Sequence, residues 1–306
     1  MSDQIDKNLT TEREREREYE FLLMDRSQKI QSIVNKYGEE NFYVSFSGGK
    51  DSTVLSWLVD YALPDNKIPR VFADTGIELK MVRDFALSKV TTDERFVAIK
   101  PSVPITAMLK EEGYPFKSKA HAKWVWQYQT KGMRQPIHNY LHDDQRDKDL
   151  YRPCPKILRY QFTPEFNLKV SDHCCLKMKE EPLMKWQKEH HKTIAIVGVM
   201  REEGGRRQKS ACLMFSGKKL KSFQPMVVVT KDWEDWLIDK YDIDICPIYK
   251  PPYNFERTGC KGCPFALHLQ NELDVLEKYF PKERKQAETI WKPVYDEYRR
   301  IHYRLK

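Results

Sequence analysis

The sequence predicts an α/β fold: a doubly wound, mainly parallel sheet with helices on both faces, followed by a C-terminal extension that contains cysteines. Two observations predict the sheet. Short runs of β-branched and aromatic residues alternate with segments of helical periodicity, as in parallel strands joined by crossover helices. A glycine-rich turn directly follows the first of these runs. The length of 306 residues suffices for one large α/β domain with an extension, or for two smaller domains.

The predicted elements follow from local patterns along the chain. Residues 1–38 are highly charged, with apolar residues at helical spacing, and predict a surface helix. Residues 39–225 form the predicted sheet domain, which helices and loops rich in aromatic and basic residues interrupt at about 101–165. Residues 226–306 are the predicted extension. The strands are expected at Phe42–Phe46, Arg70–Ala73, Phe96–Ile99 and Thr193–Val199, and the helices at Thr53–Val59, Glu78–Lys89 and Pro281–Tyr303.

Composition narrows the class of protein and of ligand. The net charge of +8 and the isoelectric point near 8.9 suit anionic ligands and permit nucleic-acid binding. No apolar run approaches the length of about 18 residues that a membrane span requires. The first twenty residues are too charged for a signal peptide. We therefore expect a cytoplasmic protein without membrane contact, and an oligomer is left open.

The six residues after the first predicted strand have the composition of a phosphate-binding turn. Gly48 and Gly49 allow the backbone to turn tightly and to point its amides at a ligand. The helix that follows adds free amides and the positive end of its dipole. Lys50 contributes a full positive charge, and the hydroxyls of Ser47 and Ser52 can donate to phosphate oxygens. The loop lacks the G-x-x-x-x-G-K-[ST] pattern of a Walker A loop.

The segment 47–52 resembles the pyrophosphate-binding loop of the adenine-nucleotide α-hydrolase superfamily, which includes the N-type ATP pyrophosphatases and the phosphoadenylylsulfate (PAPS) reductases. Residues 74–78 are similar to the superfamily's D-T-G-x-E segment, at the strand end where open α/β sheets bind ligands. Residues 198–207 resemble the reductases' G-x-R-x-E-x-S-x-x-R element, with departures at Met200 and Gly204. The resemblance implies an adenine nucleotide, ATP with Mg²⁺, bound by Ser45, Ser47, Gly48, Gly49, Lys50, Asp51, Ser52, Asp74, Thr75, Gly76 and Gly198.

The seven cysteines are clustered in a way that indicates a metal centre. An odd number in a reducing compartment argues against a disulfide framework. The adjacent Cys174 and Cys175, with Cys260 and Cys263 of a C-x-x-C segment, supply the four thiolates that a [4Fe–4S] cluster needs, and Zn²⁺ is the alternative. Both segments are similar to those of the iron–sulfur adenylylsulfate reductases. This resemblance implies a [4Fe–4S] cluster with these four cysteines as its ligands.

The families that the sequence resembles catalyse two different reactions. The sulfonucleotide reductases attack their substrate with a cysteine in a C-terminal E-C-G-x-H motif, and this sequence has no cysteine after Cys263. The DNA-phosphorothioation ATP pyrophosphatases, which the chain also resembles, combine a cluster with the lack of that cysteine. We therefore expect cleavage of ATP to AMP and pyrophosphate, which activates a substrate for sulfur transfer. The expected catalytic residues are Lys50, Asp51, Arg201 and Arg207.

Several alternatives stay open. One is a sulfite-forming reductase of adenylylsulfate or PAPS that uses Cys154, or a thiol of a partner, as its nucleophile. Another is a regulator that binds nucleotide and cluster without turnover. A DNA or tRNA substrate is left open by the aromatic and basic insertion, and a cysteine desulfurase or another sulfur donor by the sulfur chemistry. Asp74 can bind a ribose hydroxyl or Mg²⁺, or it can cap the helix that follows.

Overall fold

The computed structural model describes residues 2–142 and 153–306, without the side chains of residues 2–11, 205 and 206. Residues 143–152, which belong to the predicted insertion, lie outside the described residues. Among the helices of the described residues, none combines the length and the apolar character that crossing a membrane requires.

The strands form one six-stranded sheet in the order β3-β2-β1-β4-β6-β5. Neighbours from β3 to β6 pair in parallel, and β5 joins β6 as an antiparallel edge. The fold class predicted from sequence, α/β with a mainly parallel and doubly wound sheet, is therefore confirmed. The strands are β1 (Phe42–Phe46), β2 (Arg70–Ala73), β3 (Phe96–Ile99), β4 (Ile194–Ile196), β5 (Leu213–Ser216) and β6 (Lys219–Phe223).

Helices occupy the connections between the strands and most of the chain after the sheet. Their bounds are α1 (Ser2–Tyr37), α2 (Lys50–Ala62), α3 (Lys80–Thr92), α4 (Ile105–Glu112), α5 (Lys119–Lys131), α6 (Gln135–His142), α7 (His173–Cys175), α8 (Glu181–Glu189), α9 (Lys231–Lys240), α10 (Leu269–Tyr279) and α11 (Pro281–Arg300). A π-helical turn, Leu176–Glu180, joins α7 to α8. The predicted helix starts differ from the observed ones: α2 begins three residues before Thr53, because the loop amides already belong to its first turn, and α3 begins two residues after Glu78.

The first three strands match their predicted ranges, and the fourth does not. The predicted strand Thr193–Val199 is wrong in extent, since β4 ends at Ile196. A side chain at position 198 would place its Cβ 2.9 Å from the carbonyl oxygen of Asp51, so Gly198 lets the backbone pass close to the start of α2. The hairpin of β5 and β6 was not predicted from sequence, although Gly217 at its turn has the positive φ of 59° that such turns need.

Contacts divide the chain into two compact units, called unit 1 and unit 2 below. Unit 1 comprises Met1–Ala73, Met81–Ile99 and Leu183–Thr258, and unit 2 comprises Asp74–Lys80, Lys100–Pro182 and Gly259–Lys306. The core of unit 1 includes fully buried residues of α1, α2, β1, β4, β6 and α9, among them Ile30, Leu58, Val44, Ile196, Phe223 and Trp233. The helix α1 thus packs one apolar stripe on unit 1 and exposes its charged face, as an amphipathic surface helix does. The division into 1–38, 39–225 and 226–306 stays a prediction.

An ion network surrounds the buried Arg70 at the start of β2 in unit 1. Arg70 is fully buried, and its guanidinium lies 2.6 Å from the Asp60 carboxylate. The same carboxylate pairs with Arg95 at 2.7 Å, and Arg95 pairs with Asp93 at 2.7 Å. Burial lowers the pKa of Arg70 to about 10, and the charge of Asp60 opposes that shift. The Asp60 carboxylate therefore pairs directly with the buried guanidinium, which also donates to Ser56 and Asn66.

The change Asp60→Asn is expected to destabilise unit 1 by about 3 kcal/mol or more, because it leaves Arg70 as a buried charge without a counter-ion. Urea unfolding followed by circular dichroism measures the loss. The exposed Asp65 offers a matched control, and Asp65→Asn should stay within about 0.5 kcal/mol of the parent. Equal stability of the two variants would contradict the role of the network.

A buried histidine organises the inserted helices of unit 2. His121 is fully buried and lies 2.8 Å from both the Gln161 amide oxygen and the Tyr140 hydroxyl. Because an amide oxygen only accepts, Nε2 carries the proton and donates to Gln161, and Nδ1 accepts from Tyr140. Burial, assisted by the charges of Lys117 and Arg304, lowers the pKa of His121 to about 4. The imidazole is therefore neutral in the folded protein at neutral pH.

Acid should destabilise the protein through His121. Between its ordinary pKa of 6.5 and the folded value of about 4, only the unfolded chain binds a proton at this imidazole. Stability from this group is complete above pH 6.5 and is lost as the pH falls to about 4, by about 3 kcal/mol in total. Urea unfolding at a series of pH values measures the slope. His121→Gln should flatten it and the exposed-site control His138→Gln should not; a slope unchanged by His121→Gln would show that other groups cause it.

Candidate active site

The carboxyl ends of β1 and β4 border a polar cavity of about 320 Å³ in unit 1. The strand order reverses here, since β2 and β3 lie on one side of β1 and β4 on the other. Ligands of open α/β sheets bind at such a switch point because the loops after the two strands diverge. Of the predicted residues, the cavity brings together Ser45, Ser47, Gly49, Lys50, Asp51, Ser52, Gly198 and Arg207.

The conformation of the glycine loop is stabilised by hydrogen bonds of its own serine hydroxyls. Ser47 and Ser52 place their hydroxyl oxygens 2.9 Å apart, and the backbone amide of Ser47 donates to the Ser52 hydroxyl. Gly49 precedes α2 without a side-chain cap, and the amide of Lys50 donates to the Tyr249 hydroxyl, so the amides of Asp51 and Ser52 are the ones expected to donate to an anion. Gly48 lies behind the loop with a positive φ of 73°, and a Cβ there would come within 2.9 Å of the Val82 carbonyl oxygen. Gly48 therefore shapes the turn and does not line the cavity.

The ammonium of Lys50 is engaged by two carboxylates at the start of α9. It donates to Asp235 over 2.7 Å and lies 3.3 Å from Glu234 Oε2. Burial lowers the pKa of Lys50, but the hydrogen bond to Asp235 and the charge of Glu234 outweigh burial, so the pKa is raised overall. Burial, reinforced by the charge of Asp51, raises the pKa of Glu234 to about 7. Lys50 thus stays protonated at neutral pH, whereas Glu234 titrates near neutrality.

Two arginines, Arg207 and Arg257, also line the cavity. Arg207 forms an ion pair with Glu203, and the Arg257 guanidinium lies 3.7 Å from the same carboxylate. Burial and the charge of Arg257 lower the pKa of Arg207. One buried carboxylate therefore serves two guanidiniums, which leaves a net positive charge for an anionic group of a ligand. Arg201, predicted beside them, is exposed, donates to the Ser210 carbonyl and is not among the residues that line the cavity.

Several lining residues were missed in the sequence. Lys231 and Glu234 belong to α9, and Tyr249, Arg257 and Thr258 belong to the irregular chain before the C-x-x-C segment. The Tyr249 hydroxyl and the Thr258 hydroxyl are hydrogen-bonded to each other. The only local signal was the density of aromatic and charged residues after Pro225, which does not say which side chains reach the loop.

Asp74, Thr75 and Gly76 belong to unit 2, together with the four predicted cysteine ligands. The Thr75 hydroxyl donates to Glu78 over 2.7 Å, and Asp74 is buried. Glu78 pairs with Cys260 in an isolated antiparallel bridge, and the amide of Lys261 donates to the Ile77 carbonyl. Gly76 has a positive φ of 77° and no atom near the position of a Cβ. Within unit 2 the D-T-G-x-E segment therefore lies against the backbone of the C-x-x-C segment.

The C-x-x-C turn is positioned by buried aromatic side chains of α11. The Trp291 indole donates to the Lys261 carbonyl over 2.9 Å, and the hydroxyl of Tyr295 donates to the Gly262 carbonyl. A Cβ at Gly262, whose φ is 59°, would lie 2.4 Å from the Tyr295 hydroxyl. The turn therefore requires glycine between its cysteines. The backbone amide of Cys263 closes it by donating a hydrogen bond of 3.1 Å to the Cys260 carbonyl.

The four predicted cysteine ligands lie within electrostatic range of one another. Burial raises the pKa of Cys174, and the neighbouring Cys260, Cys175 and Cys263 raise it further. All four are free thiols, the donor type that iron–sulfur clusters and Zn²⁺ require. Across the described ranges, however, no three His, Cys, Asp or Glu side chains are close enough to hold a single metal ion. The donor chemistry of the four thiols fits a thiolate-bound centre.

A lysine on the π-helical turn faces these thiols. The Lys179 ammonium lies 3.5 Å from Glu78 Oε1. Burial lowers the pKa of Lys179, and the nearby Cys260 and Glu78 raise it above its ordinary value. Such π turns interrupt helices mainly at functional sites, because the extra residue redirects the side chains that follow. Here the turn follows Cys174 and Cys175 directly.

The other candidates from the sequence, Cys154 and the aromatic side chains of the insertion, make packing contacts within unit 2. Cys154 is buried, and burial raises the pKa of its thiol to about 11, so it is a weak nucleophile at neutral pH. The aromatic side chains of the insertion pack on one another: Trp124 stacks on Tyr140 and Trp126 contacts the His173 ring. These rings therefore serve the packing of unit 2, and their predicted use as a platform for bases has no support from their contacts.

Residues 149–266 match the model of the phosphoadenosine phosphosulfate reductase domain. The resemblance to this family is thereby confirmed over that segment. The matched segment contains all four predicted cysteine ligands and the element Gly198–Arg207, whereas the glycine loop precedes it. A search of curated proteins returned no match.

Three solved structures are similar to the chain at low identity. The PAPS reductase of Candida auris in a phosphate complex is 14% identical with a TM-score of 0.41, covering 72% of this chain and 81% of its own. The U34-tRNA thiolase NcsA of Methanococcus maripaludis with its [4Fe-4S] cluster is 15% identical with a TM-score of 0.39, covering 92% and 80%. The NH3-dependent NAD synthetase of Campylobacter jejuni is 12% identical with a TM-score of 0.42, covering 90% and 93%. No function follows from likenesses of this size.

Proposed function

We propose that this chain is an enzyme that binds ATP in the cavity of unit 1 and cleaves it to AMP and pyrophosphate, which activates a substrate for sulfur transfer. The observation that carries the proposal is the composition of the cavity. It combines a helix start after a glycine loop with four cationic side chains among the lining residues: Lys50, Arg207, Lys231 and Arg257. Polyphosphates are the anions that need this many separate donors.

The arrangement suits stabilisation of a leaving pyrophosphate. The α2 amides and Lys50 would bind the two terminal phosphates, with Mg²⁺ carried by the nucleotide. Arg207 and Arg257 would meet the charge that develops when the α-phosphate is attacked, since planar guanidiniums suit equatorial oxygens. Asp51, which lines the cavity and whose charge acts on Arg207, would help to orient that guanidinium. Arg201 stays a predicted catalytic residue whose side chain is hydrogen-bonded elsewhere.

A cluster in unit 2 is the second part of the proposal. Cys174, Cys175, Cys260 and Cys263 would hold a [4Fe–4S] cluster, or Zn²⁺ as the alternative. When bound by four thiolates, an iron–sulfur cluster would supply a one-electron redox centre. Lys179 and Glu78 would set the charge around it, and such outer contacts tune bound clusters. A DNA or tRNA acceptor and a cysteine desulfurase as sulfur donor are proposed partners in a cytoplasmic reaction.

A sulfite-forming sulfonucleotide reductase is the second candidate function, and the family match over residues 149–266 favours it. Its nucleophile would be a thiol of a partner, because the buried Cys154 has a raised pKa. The charges of the cavity accept a sulfate as readily as a phosphate. The two candidates therefore differ in the reaction and not in the kind of pocket.

Product analysis separates these functions. The protein, purified without oxygen, is incubated with ATP, adenylylsulfate or PAPS, each with and without tRNA, duplex DNA and reduced thioredoxin. The proposal expects AMP and pyrophosphate from ATP, with an increase when the correct acceptor is present. Sulfite from a sulfonucleotide with thioredoxin, and no pyrophosphate from ATP, would replace it by the reductase. Failure of all three nucleotides to bind would contradict both functions.

A further inference from the structure

Glu234 is a buried carboxylate in the wall of the cavity. Its side chain is fully buried, and neither of its oxygens accepts a hydrogen bond from the described residues. The nearest cation is the ammonium of Lys50, which lies 3.3 Å from Oε2 and donates a shorter hydrogen bond of 2.7 Å to Asp235. A buried carboxylate without hydrogen bonds is costly to keep ionised. Glu234 therefore depends on the charge of Lys50.

The position of Glu234 is set by the helix that carries it. Thr230 caps α9 by accepting a hydrogen bond from the amide of Trp233 over 3.2 Å. The fully buried indole of Trp233 donates to the Tyr19 carbonyl, which fixes the rotation of the helix. Glu234 is consequently held inside the protein, whereas the next residue, Asp235, is 60% exposed and hydrated. The two carboxylates that engage Lys50 thus respond differently when the ammonium leaves.

Nucleotide binding and the Glu234 contact compete for one ammonium. In the proposed function Lys50 binds phosphate, and the phosphates bring further negative charge into the cavity. Asp51, on the first turn of α2, already acts on Glu234 as a like charge. A buried carboxylate that loses its cation while like charges approach becomes neutral by binding a proton.

We propose that Glu234 is a positioning residue that holds Lys50 before nucleotide arrives and releases it by taking up one proton from solvent. The inference rests on the proposed nucleotide site and adds a coupling between nucleotide affinity and pH. In the balance, the carboxylate of Glu234 becomes a carboxylic acid, Lys50 stays an ammonium, and the buffer supplies the proton.

Lys50 lowers the pKa of Glu234, whereas the neighbouring carboxylates raise it. From α2 it faces Lys50, which lowers its pKa, and Asp51, which raises it; from its own helix Asp235 raises it. The other charged residues of the cavity wall are Glu203, Arg207, Lys231, Glu256 and Arg257, of which Glu203 is paired with both arginines, and Tyr249 is a buried phenol. Since the pKa of Glu234 is about 7 with Lys50 in place, removal of Lys50 raises it further. Proton uptake is therefore expected above about pH 7, where nucleotide affinity falls by up to tenfold per pH unit.

Calorimetry in two buffers of different ionisation enthalpy tests the coupling. The probe is α,β-methylene-ATP in EDTA at about pH 8, a nucleotide that the enzyme cannot cleave at the α–β bond. Its own phosphate titration is common to all variants, so the difference between variants isolates Glu234. The parent should take up close to one proton more per bound nucleotide than Glu234→Gln. Asp239→Asn removes an exposed carboxylate from the same helix and should behave as the parent does.

The outcomes are separable. Equal proton uptake in the parent and in Glu234→Gln overturns the inference, whereas failure of the parent to bind the nucleotide overturns the proposed function. The dissociation constant of Glu234→Gln should also vary less with pH than that of the parent, by roughly tenfold between about pH 7 and 8.5. If Glu234→Gln does not fold, Lys50→Met provides the second test: without an ammonium to release it should show no extra uptake, and parent-like uptake would refute the coupling.

Discussion

Lys50→Met should reduce pyrophosphate release from ATP by about 10²- to 10³-fold, the usual effect of removing one preorganised donor from developing charge. Lys50 lines the cavity and is the first residue of α2, directly after the glycine loop. The raised pKa keeps it charged at any pH at which the enzyme works. Loss of this charge leaves the leaving pyrophosphate with neutral donors from the loop.

The measurement is the initial rate of pyrophosphate formation at saturating ATP, compared with that of Lys185→Met. Lys185 is 78% exposed on α8 and pairs only loosely with Glu189 at 3.9 Å, so its loss should leave the rate within twofold of the parent, about 0.4 kcal/mol. The double variant Lys50→Met, Glu234→Gln removes both partners of the buried pair and separates catalysis from folding. Full activity of Lys50→Met would contradict the assignment of the loop.

Cys260→Ser should abolish retention of the metal centre. Cys260 belongs to the turn that Trp291 and Tyr295 anchor, and its charge acts on Cys174 and on Lys179. A cluster that loses one of its four thiolates usually loses iron, because a serine oxygen is a harder and poorer ligand. The parent, reconstituted without oxygen, should hold about four iron atoms per chain with a visible absorbance band.

Iron analysis and the visible spectrum check this expectation, with Cys212→Ser as the control. Cys212 is a half-buried free thiol in unit 1, so its substitution should leave the iron content unchanged. A colourless parent with about one zinc per chain would replace the cluster by Zn²⁺ and would keep the four-cysteine site. Iron that is retained in Cys260→Ser would contradict the site itself.

The two candidate reactions make different demands on thiols. A sulfonucleotide reductase needs a thiolate that forms a bond with sulfur, and Cys154 has a pKa raised to about 11 inside the packed insertion. An ATP-cleaving enzyme needs cations around the phosphates, which the cavity provides in Lys50, Arg207 and Arg257. On these contacts the ATP reaction requires the fewer additional groups, and this is why it is preferred.

Local patterns were enough to predict the parallel core of the fold. The runs Phe42–Phe46, Arg70–Ala73 and Phe96–Ile99 are strands with the predicted ends, because each is a short run rich in β-branched and aromatic residues between turn residues. The hexapeptide after β1 was recognisable since its chemistry depends on neighbours in sequence. The cysteine pairs were recognisable for the same reason.

Contacts between distant residues were decided only by the tertiary structure. Glu234 meets Lys50 across 184 positions of sequence, and Arg257 meets Glu203 across 54. β4 stops at Ile196 because its continuation passes the carbonyl of Asp51, which no local pattern of residues 193–199 reveals. The sequence by itself thus determined the first three parallel strands, whose signals are short-range, and it predicted the glycine loop and the four-cysteine set from equally local patterns. The partners that control Lys50 and complete the cavity depend on how α9 and the chain before Cys260 pack, and packing is a long-range property.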